Sequence, residues 1–243
     1  MSKTPPTKVE KALSLDFTSG KDDIWLTSQK TLRKLIGVLG VCLPILLFLT
    51  LLVDAGFNKP LFSLSHYYFT RASSIFVVIV SLLAIFLLIY KGEDRIDFYL
   101  STIAGIFALC VVLFPTSNIS RLCNDENFKY SLTIMKDSMF RMGLHYVSAS
   151  IFLVCLALMS IFVFTKSNKS PDQRGRPKRI RNRIYRTCGI IMLIAIAIML
   201  TNVIGIISNE TFSKYQLVFW MEVIAIEAFG ISWLTKAEVF VKG

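Results

Sequence analysis

The sequence predicts an all-α polytopic membrane protein, a bundle of six transmembrane helices. Three observations carry that reading. Hydrophobic residues make up 54% of the 243 positions, against about 45–50% in an ordinary globular domain, and mean hydropathy is +0.60. The excess is gathered into six blocks, each close to the ~20 apolar residues that a bilayer-crossing helix needs. Lysine and arginine, finally, are divided unequally between the segments that join the blocks.

The blocks are 35–53, 72–90, 98–114, 146–165, 188–207 and 215–235. Together they make a transmembrane domain over 35–238. Pro44 kinks the first helix and frees a carbonyl there. The third block is short, and Tyr99, Ser101 and Thr102 belong at its interface end. Pro115 stops it at the surface. Gly37 and Gly40, Ala104 with Gly105 and Ala108, and Ala149 with Ser150 provide small faces for close helix approach. The polar segment 1–34 lacks the apolar core of a cleavable signal peptide, so the first block reads as a signal anchor. Within that segment, Asp22-Asp23-Ile24-Trp25-Leu26 suits an interfacial turn with Trp25 at headgroup depth.

Charge sets the expected topology. Residues 1–34, 91–97, 166–186 and 236–243 carry 7, 2, 9 and 2 Lys/Arg, 20 of the 27 in the chain. The other joining segments, 54–71, 115–145 and 208–214, carry 2, 4 and 1. The bias places the first set in the cytoplasm. Both termini are then cytoplasmic, which requires an even number of spans, as six is. The expected location is the inner (plasma) membrane. The net charge of +11 is mostly this topology signal. The basic loop 166–186 also fits anionic inner-leaflet headgroups, worth about 1 kcal/mol per basic residue near the surface. With only Tyr185 to stack on a base, it gives little support to nucleic-acid binding.

Several chemistries find no motif here. The sequence has no GxxxxGK[ST], GxGxxG or HExxH, no GxSxG or SxxK, no arginine row of a voltage sensor and no potassium-filter loop. Five cysteines, four of them in or beside spans, make no disulfide framework and no zinc spacing; only Cys123 falls in an outer loop. Asn118-Ile119-Ser120 and Asn209-Glu210-Thr211 are formal sequons, discounted because both asparagines lie close to a span end. No cofactor is expected.

The polar residues that remain define the candidate sites. Glu227 falls inside the last block, 12 residues from its outer end and 8 from its inner end. A carboxylate at that depth must be paired, protonated or facing water; Asn202, Thr102 or a serine are the structural partners available. Glu222 lies five residues earlier, so the two carboxylates point ~140° apart and form no dyad. The only two histidines, His66 and His145, fall at outer span ends. With Arg71, Arg141, Tyr67, Tyr146 and Glu222 they make a candidate polar pocket.

A resemblance follows from particular segments. His66-Tyr67-Tyr68-Phe69-Thr70-Arg71, Ala104-Gly105-Ile106-Phe107-Ala108, Leu113-Phe114-Pro115-Thr116 and His145-Tyr146 are four of them. Arg181-Asn182-Arg183-Ile184-Tyr185-Arg186, Cys188-Gly189 and Ala228-Phe229-Gly230-Ile231-Ser232-Trp233-Leu234 are the others. Together they resemble uncharacterised bacterial six-span membrane proteins, distantly DRAM-like, over about 35–238. The resemblance implies a six-helix bundle in a bacterial inner membrane. It transfers no catalytic residue, and it leans toward lipid handling or the regulation of other membrane proteins.

The functional expectation is a non-enzymatic protein with an outer-leaflet polar pocket for a lipid headgroup or small ligand, lined by His66, Tyr67, Arg71, Arg141, His145, Tyr146 and Glu222. Two alternatives stay open. One is a secondary transporter or ion pathway using Glu227. The other is a metal-dependent membrane hydrolase with His66 and His145 as ligands. Membrane lipids are the expected partners, with a homo-oligomer or a second membrane protein left open.

Overall fold

A computed structural model describes residues 28–56, 59–92, 94–119, 131–136, 138–167 and 175–242. Helix α1 is Gln29–Ala55, with Pro44 inside it. It stops at Gly56, whose φ of 63° lets its N–H turn back to the carbonyls of Leu51 and Leu52, a left-handed cap that a side chain would strain. A short 3-10 helix, Leu64–Phe69, follows. Helix α2, Ser73–Ile89, is almost wholly apolar, with Ser81 the one polar residue beyond its first turn. Helix α3, Arg95–Leu113, starts where the backbone N–H of Asp94 donates to Asp97 Oδ2 at 3.3 Å.

Helix α4 is Met139–Leu158. It is capped by Ser138 Oγ, which accepts from the N–H of Arg141 at 3.3 Å, and it runs on through a π turn, Met159–Val163. Helix α5, Arg176–Val203, carries a proline in its first turn, where the missing N–H costs nothing. Helix α6, Asn209–Tyr215, is one short element. Helix α7, Leu217–Lys236, follows Gln216, which holds a positive φ of 50°. That strained residue is tied down, since its Nε2 donates to the Pro60 carbonyl at 2.8 Å.

Among the described residues five helical stretches are long and apolar enough to cross a membrane: Gln29–Asp54, Arg95–Leu113, Met139–Val163, Arg176–Val203 and Leu217–Lys236. Ser73–Ile89 is apolar but shorter. The third block therefore makes a longer helix than its apolar run, and the second makes the short one. The other difference lies at 166–186. Residues 176–186 are helix rather than loop, because arginine and lysine are good helix formers. At 28 residues, α5 is about 42 Å long, about two turns more than a hydrocarbon core of ~30 Å requires.

The helices pack as a closed ring. Each of α1 to α4 packs on the next, α7 lies against α5, and α7 closes back onto α1. Glycines make the closure tight. A Cβ on Gly230 would come within 2.6 Å of Val41 Cγ2 and 2.9 Å of the Gly37 carbonyl. One on Gly37 would come within 2.8 Å of the Leu234 nitrogen. The end of the bundle carrying Gln29, Tyr90, Lys166 and Lys236 (the basic end) is filled by an aromatic hub. The Trp233 ring stands 5.0 Å from those of Tyr90 and Phe164, and Phe164 is 5.5 Å from Tyr185. The opposite end holds the 3-10 helix and both histidines (the histidine end).

Candidate functional site

The histidine end is built around a segment that is not α-helical. Ser63 starts the 3-10 helix by accepting from the N–H of Ser65. Its hydroxyl donates to both oxygens of Glu222, at 2.9 and 2.8 Å, and the N–H of Leu64 donates to Glu222 Oε2 at 2.6 Å. Glu222 thus holds the backbone end that a 3-10 turn leaves open, the service an acidic residue gives near a helix N-terminus. The far end of the segment is held by a single antiparallel bridge between Thr70 and Ser131.

His145 joins three elements. Its Nδ1 is 2.9 Å from the carbonyl of Phe114. A carbonyl only accepts, so Nδ1 carries a proton and donates. Its Nε2 is 3.0 Å from Ser65 Oγ, within the 3-10 helix. His66, the next residue along, is 3% exposed, and neither of its ring nitrogens finds a hydrogen-bond partner. Phe62 meets it edge-on at 6.0 Å. Burial, and after it the neighbouring His145, hold the His66 pKa down to about 3, so its ring is neutral at physiological pH. A neutral imidazole keeps one donor and one acceptor to offer. Tyr67 is fully buried, and its hydroxyl makes no hydrogen bond of normal geometry. Burial pushes its pKa up to about 12.

Arg141 lies one helical turn before His145. Its Nε donates to the Pro115 carbonyl at 3.1 Å and its Nη1 to the Lys136 carbonyl at 2.7 Å, while Nη2 is buried without a partner. Two expected lining residues face elsewhere. Arg71 is exposed and pairs with Asp54 at 2.8 Å. Tyr146 is 52% exposed and accepts a long 3.4 Å hydrogen bond from Thr116 Oγ1. The structure thus gathers His66, Tyr67, His145 and Glu222 on or against one short segment, with Arg141 beside them, and leaves Arg71 and Tyr146 outside. Among the described residues no group of three His, Cys, Asp or Glu is placed to hold a metal ion.

Glu227 belongs to a different place. It is partly buried halfway along α7 and lines a groove of about 320 Å³ with Pro44, Phe48, Phe219 and Trp220 among its neighbours. Asn202 does not reach it, donating instead to Asn209 Oδ1 at 2.8 Å. Glu222 and Glu227 point to separate surroundings, as their five-residue spacing requires. The sequon asparagine Asn118 is 4% exposed. It exchanges two hydrogen bonds with the backbone of Met135, at 2.6 and 2.9 Å. Trp25, Cys123 and residues 168–174 of the basic segment lie outside the described residues.

Sequence reasoning missed the serines. Ser63 and Ser65 are the partners of Glu222 and His145, and the only trace of them was the run Ser63-Leu64-Ser65-His66 itself. Fold and site together describe an α-helical protein with membrane-length helices and a buried polar cluster at one end. Comparison with protein-family models, with curated proteins and with solved structures finds no match for this chain.

Proposed function

We propose that this chain is a six-span membrane protein that binds a small polar ligand or lipid headgroup at its histidine end. The histidine end faces outward in this reading, and both termini are cytoplasmic. The charge bias supports that orientation, because the arginine- and lysine-rich segments share the basic end. The motif resemblance to DRAM-like six-span proteins leans toward the same architecture. Ser73–Ile89 completes the even count of spans, its 17 residues being at the short end of the ~17–25 that cross a bilayer.

One observation carries the binding reading. His66 is buried with both ring nitrogens unpartnered. An unsatisfied buried polar group costs about 1–3 kcal/mol, and such groups call for an explanation. A ligand hydroxyl supplies one, by accepting from and donating to the neutral ring, and a phosphate oxygen supplies the acceptor alone. His145 and Glu222 then act as positioning residues, which fix the 3-10 helix through Ser65 and Ser63.

The test is native mass spectrometry of the detergent-purified chain and of a His66→Phe variant. Phenylalanine keeps the ring and removes the orphaned nitrogens. The expected result is a retained adduct on the parent chain, lost in His66→Phe, with the variant melting at a higher temperature. An adduct retained equally by the variant, or no adduct on either, overturns the reading.

A further inference from the structure

Glu227 stands apart from the cluster above. Its carboxylate has no hydrogen bond or ion pair among the described residues. An ionisable side chain at mid-helix depth needs a partner, and the bundle does not supply one. The groove that Glu227 lines runs between α1 and α7, and Glu227 is its sole ionisable lining residue. Below it the two helices meet through Gly37, Gly40 and Gly230, where an added Cβ would collide. Above that seal Pro44 replaces a helical amide, which also frees the Gly40 carbonyl. The groove ends near Pro60, Phe219 and Trp220. Trp220 and Ile45 are about half exposed, so the groove opens sideways, toward the lipid in a six-span reading.

We infer that this groove is a binding site for a lipophilic organic cation, with Glu227 as its counter-charge and Phe48, Phe219 and Trp220 as its aromatic wall. The volume is at the lower end of small-molecule sites, ~300–1,000 Å³, and the groove is open on one side, so a compact hydrophobic cation fits within it and a bulkier one seats one face against Glu227 and the rings. Aromatic rings attract a cation through their negative faces, more strongly when desolvated. Trp220, Val223 and Glu227 recur at helical spacing on one face of α7, and Trp220 is seven residues above Glu227, about 10 Å along the axis. A bulky hydrophobic cation can travel that distance in an apolar groove. An anion of equal size meets a carboxylate, and a neutral ligand leaves the carboxylate unpaired. The site shares no residue with the histidine-end cluster, so either reading can fail alone.

The test uses the full chain in phosphatidylcholine nanodiscs, with radiolabelled tetraphenylphosphonium as probe and tetraphenylborate as its anionic match. The expected result is saturable tetraphenylphosphonium binding, one per chain, weakened at least ten-fold in Glu227→Gln and several-fold in Trp220→Ala. Glu227→Asp keeps the charge and binds within several-fold of the parent, which separates lost charge from lost fold. Tetraphenylborate shows no saturable binding. Equal tetraphenylphosphonium binding by Glu227→Gln, no saturable binding by the parent chain, or equal binding of the borate overturns the proposal.

Discussion

The two ends of the bundle use their polar groups differently. At the basic end the close charges are paired, although Thr31 Oγ1, Arg33 Nε and Asn182 Oδ1 are buried there without a partner among the described residues. Lys166 reaches Asp94 and Asp97, each at 2.7 Å, and those hydrogen bonds, Asp94 first, hold its pKa above the usual lysine value. Arg181 bonds Glu238, and the rings of Trp233, Tyr90 and Phe164 fill the space between helices. At the histidine end polar groups are buried with capacity to spare on His66, Tyr67 and Arg141. A satisfied cluster holds helices together. A cluster with spare donors and acceptors is where a molecule from outside has something to gain.

The largest effect should come from the ring closure. Gly230→Val places side-chain atoms against the backbone of Gly37 and Val41, which cannot step aside. A loss of about 3 kcal/mol, the upper range of overpacking, should appear as a lower melting temperature. Gly143→Ala, with open space around it, serves as control and should leave melting unchanged or slightly raised.

Next is Asp97→Ala at the basic end. Asp97 is 2% exposed and both pairs Lys166 and closes the start of α3. Lys166 keeps Asp94, so the expected loss is about 2 kcal/mol, below the ~3–5 of a fully broken buried pair. A melting temperature within one degree of the parent would remove Asp97 from this account.

The histidine end should show its difference in acid. The folded-state pKa of His66 is about 3, against an ordinary 6.5. Between those values the unfolded chain binds the extra proton, so stability rises with pH across the window. The contribution is fully present above pH 6.5 and is lost as pH falls toward 3. Melting curves from pH 7 to 4 should fall more steeply for the parent than for His66→Phe. Parallel curves would mean that the His66 pKa is the same in the folded and unfolded chain.

The smallest effect belongs to Arg71. Its pair with Asp54 is mostly exposed, and such pairs contribute about 0–1 kcal/mol. Arg71→Ala should melt within a degree or two of the parent and leave any adduct at the histidine end in place. Loss of the adduct would return Arg71 to the binding site.

The helices were legible because apolar runs are long and their composition is unambiguous. Their ends were less so. Asp94 and Asp97 at three-residue spacing before an apolar run are a capping signal, and they lengthen a helix that its apolar residues alone made short. The basic residues at 176–186 suggested a loop by charge, yet nothing in Arg, Lys or Ile opposes helix. The shared depth of His66 and His145 followed from topology. Their meeting did not, because it depends on a 3-10 segment with no hydrophobic period to reveal it. Glu227 was legible as an anomaly, whereas its setting depended on Pro44 at a matching depth in another helix.

The ring closure bears on how the molecule is made. Among the described helices the first, α1, and the last, α7, are neighbours, joined near their ends by Lys30 and Glu238 at 3.9 Å. The face of α1 that ends against Gly230 therefore waits, uncovered, while every intervening helix is synthesised. The groove beside Glu227 lies on that same seam, so neither wall of it is a binding surface until α7 arrives.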